Sequence, residues 1–377
     1  MKKVEKAGIG AVGSGAARRE EKPIRNLVLS LTGDCNYACR YCYASEHPRE
    51  MMSRDTALRA VALAARSGER FIIQFTGGEP LLAFPLIQAV TELVGERGLP
   101  AIMQIQTNGS LLTREIATYL FKHKIGIGVS LDGRPPVNDR LRLRKDGGSA
   151  SEATIAGLRL LASMGIGTGI TCVVTEENVE ELPGIIEMAF YLGNVRQLGF
   201  DLLRGQGRGS GLHPADPEKT ERAFTRVYDL AEKFRKITGI PIRFTQQQRV
   251  CNLAAGSGHV FGHCYAMNGE AAFVAADGKI YACSSLMGMP EFHVGDVESG
   301  IDPERSRLVG ERIAGAMEAC RSCEDFSLCG GGCFARFWGR RQDGEDGPAA
   351  PEECAMQRVS IRYALKGGNP AVRTCRK

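Results

Sequence analysis

From residue 24 to about residue 240, short runs of β-branched and aromatic residues alternate with longer segments of helical periodicity. Strands separated in this way are joined by crossovers long enough to hold a helix, so they lie parallel in one sheet with right-handed connections. Six such units are readable, with strands expected at Leu27 to Leu31, Phe71 to Phe75, Ile102 to Gln106, Ile125 to Ser130, Gly169 to Val174 and Gln197 to Leu202. Between them, Ser53 reads as the cap of a helix with Leu58, Val61, Ala62 and Ala65 on one face and Gly68 at its end. Thr113 caps another, with Ile116, Leu120 and Phe121 expected inward. Six units are fewer than close a full barrel. The expected fold is therefore α/β, an open, partial (β/α)6 barrel of the TIM type.

In such folds the functional loops follow the C-terminal ends of the strands. Cys35-x3-Cys39-x2-Cys42 follows the first strand, Gly77-Gly78-Glu79-Pro80 the second and Thr107-Asn108-Gly109 the third, and Ser130-Leu131-Asp132-Gly133 ends the fourth. Beyond residue 245 the character changes to Gly and Cys with short hairpins. Asp277-Gly278 between two apolar arms suits a two-residue type I′ turn. The expected organisation is a tail over 1–23, the barrel over 24–245, a cysteine-rich domain over 246–363 and a tail over 364–377.

The chain is 43% hydrophobic and 24% charged, with no apolar run long enough to span a bilayer and no secretory h-region near its start. A cytoplasmic protein without membrane insertion is expected. Its net charge of +5 is spread among 43 acidic residues, so a solvated surface is expected rather than a nucleic-acid face. The stretch Leu203 to Gly211 reads as a mobile, turn-rich loop.

Thirteen cysteines are many for a reducing compartment, where clustered thiols hold metal more often than disulfides. Three lie within eight residues, eight lie between Cys251 and Cys354, and Cys172 and Cys375 stand apart. A four-iron cluster needs one thiolate per iron, so three cysteines leave one iron open to a small ligand. Zinc also takes thiolates at short spacing, and the motif alone leaves both metals open.

The surroundings of the motif supply more. The arrangement Cys35, Cys39, Tyr41 and Cys42, followed one unit later by Gly77 to Pro80, resembles the radical S-adenosylmethionine superfamily over about residues 24 to 245. The resemblance implies that the open iron is chelated by the methionyl amino and carboxylate groups. Tyr41 would contact adenine, and Gly77, Gly78 and Glu79 the methionyl ammonium. Asn108, Ser130 and Arg142 would contact ribose or carboxylate. Cys264-x13-Gly278-x4-Cys283, Cys320-x2-Cys323-x5-Cys329-x3-Cys333 and Cys354 resemble the seven-cysteine pattern of SPASM domains. By that resemblance Cys320, Cys323, Cys329 and Cys354 close one auxiliary [4Fe-4S] cluster, and Cys264, Cys283 and Cys333 hold the other. Cys251, thirteen residues before Cys264, is the candidate fourth ligand of the second set. A zinc ribbon is the alternative.

The family generates a 5′-deoxyadenosyl radical that removes hydrogen from an unactivated carbon. SPASM enzymes mostly act on peptides or proteins, so the implied function is maturation of a ribosomally made peptide (RiPP) to an oxidised or cross-linked product. Sulfatase maturation to formylglycine is the runner-up. Those enzymes typically place Asp directly after the second SPASM cysteine, where this chain has Ser284. A non-catalytic iron–sulfur electron carrier is the alternative of another class. Implied partners are a peptide or protein substrate and a low-potential electron donor of the flavodoxin or ferredoxin type. The first 23 residues are too few for a leader-binding domain, so a separate leader-binding protein is a further expected partner.

Overall fold

The computed structural model describes residues 22–256, 264–342 and 350–366. Its barrel strands are β1 (Asn26–Ser30), β2 (Phe71–Thr76), β3 (Ala101–Thr107), β4 (Gly126–Ser130), β5 (Thr168–Val174), β6 (Val195–Leu202) and the two-residue β7 (Arg243–Phe244). All are parallel and pair in chain order. The six expected strands match β1 to β6 to within two residues at each end. Only the short β7 escaped, because two residues carry no alternation.

Four further strands follow: β8 (Ala271–Val274), β9 (Lys279–Tyr281), β10 (His293–Asp296) and β11 (Gly300–Ile301). Strand β8 pairs parallel with β1, and β9 to β11 continue antiparallel, so one sheet runs β11-β10-β9-β8-β1-β2-β3-β4-β5-β6-β7. The barrel is thus open, and the cysteine-rich part is stitched to it through backbone hydrogen bonds. The helix Pro351–Leu365 also returns to pack against Pro217–Thr238 and Thr245–Ala254. It runs past residue 363, with Ala364 buried, so the C-terminal tail does not begin at 364 as expected.

Alternation sets the layers. In β2, Phe71, Ile73 and Phe75 are fully buried against the helices, whereas Ile72, Gln74 and Thr76 face the bore. Each buried side chain contributes roughly 1.5–3 kcal/mol. Ser53 caps Arg54–Ala64 by accepting from the Thr56 amide at 3.0 Å. Its buried face, however, is Ala57, Ala60, Val61, Leu63 and Ala64, and Ala62 points to solvent. Thr113 caps Arg114–Lys122 likewise, yet Phe121 is exposed. The β8–β9 turn also differs from expectation. Ala275 bonds back to Lys279 and only Gly278 has positive φ, giving a three-residue loop with the glycine in the left-handed position. Among the described residues no helix is long and apolar enough to cross a membrane.

Candidate active site

The loops after β1 and β2 are welded together at their backbones, and side chains tie the loop after β3 to them. The Gly78 amide donates to Thr32 O at 2.7 Å and the Glu79 amide to Asp34 O at 2.9 Å. A Cβ on Gly77 would lie 2.3 Å from Thr32 O, and one on Gly78 2.1 Å from Asp34 O. Only glycine permits this approach, and Gly77 also has φ +139°. Glu79 is fully buried. Its Oε1 accepts from Thr107 Oγ1 (2.6 Å) and Leu81 N (3.1 Å), and its Oε2 from Asn108 N (2.8 Å). Burial pushes this carboxyl above its ordinary range, against the pull of those donors. The sequence reading expects Glu79 to meet a ligand ammonium; in the structure both oxygens serve the protein's own donors and tie two loops together.

Cys35 Sγ accepts from the Tyr37 amide at 3.3 Å and from Asn108 Nδ2 at 3.9 Å. Asn108 is itself fixed by Asn36 and Ser110, so it reaches the thiol as a preset donor. Tyr41 is buried, and its hydroxyl donates to Asp132 Oδ2. Arg142 holds the same carboxylate through two bonds, Nε to Oδ2 at 2.8 Å and Nη2 to Oδ1 at 3.0 Å, and lies 5.4 Å over the Tyr41 ring. Ser130 Oγ accepts from Gln106 Nε2 at 2.9 Å. The four strand-end motifs therefore converge at one end of the barrel.

Two residues that brace the site escaped sequence reasoning. Asp132 anchors both Tyr41 and Arg142; its signal was the acid at the end of the SLDG segment. Arg208 donates from Nε to Cys39 O at 2.8 Å and from its amide to Cys42 O at 3.1 Å. The glycine-rich stretch is therefore not simply a mobile loop. A Cβ on Gly207 would meet Cys42 O at 2.6 Å, so the glycines let this loop clamp the cysteine loop.

The thiols fall into three sets that sense one another's charge. Burial, then Glu79 and Cys42, push Cys35 up to about 11; burial, with contributions from Cys42, Asp132 and Cys35, pushes Cys39 up to about 12. Burial, then Cys283 and Cys333, push Cys264 up to about 12, and Cys283 is raised by burial and Cys333. Burial, then Cys329, Glu353 and Cys320, push Cys354 up to about 11. Cys320 is raised by burial, with Glu353 and Cys323 contributing, and Cys329 by burial, with Glu353 and Cys320 contributing. Such thiols stay protonated until a cation compensates them. Among the described residues no three His, Cys, Asp or Glu side chains converge as ligands of one ion.

Around the later sets, Arg336 pairs with Asp201 (2.6 Å) and Glu353 (2.7 Å), while Glu353 Oε2 accepts from the Cys333 amide at 3.0 Å. Cys251 is buried on Thr245–Ala254. Cys172 is fully buried in β5, as a small hydrophobe would be. Cys375, Gly258 and Gly262 lie outside the described residues.

Comparison with known proteins agrees with this geometry. Residues 29–189 match the family model described as the Radical SAM superfamily. An uncharacterized protein, MJ0907 of Methanocaldococcus jannaschii, is 31% identical over 71% of this chain and 87% of its own length. A serine-type anaerobic sulfatase-maturating enzyme of Bacteroides thetaiotaomicron is 24% identical over 86% of each chain. Among solved structures, native anSMEcpe with bound AdoMet and Cp18Cys peptide superposes with TM-score 0.73 at 18% identity, covering 93% of this chain and 98% of that one. Streptococcus suis SuiB bound to precursor peptide SuiA gives 0.64 at 17%, covering 89% and 76%. The three-cysteine loop, the glycine loop fused to it and these matches lead to one conclusion: the chain belongs to the radical SAM superfamily, as an S-adenosylmethionine enzyme with a [4Fe-4S] cluster, related to sulfatase maturases and peptide-modifying enzymes.

Proposed function

We propose that the protein is a peptide maturase carrying one [4Fe-4S] cluster on Cys35, Cys39 and Cys42 and two auxiliary clusters. One auxiliary cluster is held by Cys320, Cys323, Cys329 and Cys354, the other by Cys264, Cys283 and Cys333 with Cys251 as fourth ligand. The observation that carries this reading is the glycine loop joined at its backbone to the Cys35–Cys42 loop at one end of the barrel, beside later cysteines at the SPASM spacings. When bound, the first cluster and S-adenosylmethionine supply the one-electron chemistry that removes hydrogen from an unactivated carbon.

The chain's own residues bind, orient and exclude water. Tyr41, held by Asp132 and stacked under Arg142, presents a fixed ring to adenine, and Asn108 and Ser130 offer hydrogen bonds to ribose or carboxylate. Gly77 and Gly78 give the methionyl ammonium a close backbone surface, kept in place by the buried Glu79. Fixed donors of this kind need no reorganisation during the reaction. The two solved structures that hold a bound peptide support a peptide substrate.

Sulfatase maturation is the second reading, favoured by the coverage of the Bacteroides enzyme. Ser284 weighs against it, because a serine hydroxyl offers no carboxylate where those enzymes place one. A flavodoxin- or ferredoxin-type donor and a separate leader-binding protein complete the proposed set of partners, and a cytoplasmic setting suits both the thiols and the donor. The test is anaerobic reconstitution followed by incubation with candidate precursor peptides and with a sulfatase-type serine peptide, read by mass spectrometry. A mass change confined to a precursor peptide supports the first reading; formylglycine in the sulfatase peptide overturns it in favour of the second.

A further inference from the structure

The bore of the barrel holds a cavity of about 490 Å³ on the side away from the cofactor loops, reaching the N-terminal ends of β4 to β7. Its lining includes no Asp or Glu but two arginines, Arg196 and Arg243. The register explains its shape. Gln106, Gly128, Gly169, Gln197 and Arg243 are successive partners across β3 to β7, forming one row over the sheet. The two central glycines leave a trough, with a carboxamide on each side and a guanidinium at the far end.

A Cβ on Gly128 would lie 2.5 Å from Gln106 Oε1, so a larger residue there would push the carboxamide aside and narrow the trough. Gln74 and Gln104 are partners in the row below and add two more carboxamides to the lining. The β5–β6 register slips at Thr168 and Gly169, leaving Arg196 as the extra residue of a bulge. A bulge re-aims its side chain, and here it supplies the second cation at the mouth. Arg196 donates to the backbone carbonyls of Gly193 and Val195, Arg243 is exposed, and among the described residues no carboxylate pairs with either.

Carboxamides match the donors and acceptors of a peptide backbone, and paired arginines match a carboxylate. The row holding Ser130 and Thr171 lies two residues, or about 7 Å, above the trough at strand rise. Gln106 bonds to both Ser130 Oγ (2.9 Å) and Thr171 Oγ1 (3.2 Å), so it forms the partition between the trough and the cofactor end.

We propose that this cavity binds the carboxyl end of an extended peptide, with its backbone over Gly128 and Gly169 and its terminal carboxylate on Arg196 and Arg243. The site extends the peptide reading to a second, non-reacting contact, and its test measures binding without turnover, so failure of one leaves the other standing.

The test is calorimetric titration of the full-chain protein with acetyl-tetraalanine as the free acid and as its C-terminal amide, with sodium acetate as a third probe. The site predicts that the acid binds, that the amide binds at least about tenfold more weakly, and that Arg243→Gln and Arg196→Gln each weaken the acid about tenfold without changing the amide. Far-UV circular dichroism checks that both variants keep the fold. Equal binding of acid and amide, absence of binding, or acetate binding as tightly as the peptide acid overturns the proposal.

Discussion

The hydroxyl of Tyr43 donates to Ser284 Oγ across 3.5 Å, although the two residues are 241 positions apart. Tyr43 directly follows Cys42 and Ser284 directly follows Cys283, so one side-chain contact joins the loop of the first cysteine set to that of a later one. Arg204 reinforces the junction: its guanidinium lies 4.8 Å over the Tyr43 ring and 2.8 Å from Asp201. The two cysteine sets thus have a fixed relative position. Tyr43→Phe is expected to cost no more than about 1 kcal/mol, the worth of one neutral hydrogen bond. Guanidinium unfolding of the two proteins checks this, and a loss of several kcal/mol would mean the hydroxyl has partners beyond Ser284.

The Asp132–Arg142 pair predicts a much larger effect. Both side chains are buried, at 0% and 6% exposure, and removing one charge leaves the other unpaired. Asp132→Asn is expected to destabilise the protein by roughly 3–5 kcal/mol and to loosen Tyr41. Anaerobic denaturant titration measures the first, and S-adenosylmethionine affinity the second.

Raised thiol pKa values set a pH dependence for the metal-free protein. Cys39, at about 12 in the fold, lies above its ordinary value of 9.0. A group raised in this way stabilises the fold fully below its unfolded pKa and loses that contribution as pH rises from about 9 toward 12. Alkylation of Cys39 should keep accelerating about tenfold per pH unit between about pH 9 and 11, following the thiolate fraction. A rate that levels off above about pH 9, read by peptide mass mapping, would contradict the raised value.

For Cys251, replacement by Ala is expected to lower the iron content or alter the auxiliary-cluster spectrum, whereas Cys375→Ala is expected to leave both unchanged. Full iron with an unchanged spectrum in the Cys251 variant would leave the Cys264 set with another fourth ligand or an open iron.

The strand order was legible because it is written in local pattern, as period-two burial. Side-chain roles were less so. Glu79 reads as a ligand contact from its motif, but its burial depends on Thr107 and Asn108, which come from another loop. Asp132 has no role readable from its own segment, because Tyr41 and Arg142 are brought to it from either side only by the fold. The pairing of β8 with β1 is invisible in sequence because it joins residues more than two hundred positions apart through backbone alone.

The central claim is that Cys35, Cys39 and Cys42 hold the cluster that cleaves S-adenosylmethionine, apart from the other two sets. It is tested most directly by measuring 5′-deoxyadenosine and iron together, in the reconstituted protein and in the variant with all three cysteines replaced by Ala. About twelve irons and one 5′-deoxyadenosine per methionine are predicted for the first protein, and about eight irons with no 5′-deoxyadenosine for the second. Cleavage retained by the triple variant, or none from the fully loaded parent after reduction, would contradict the account.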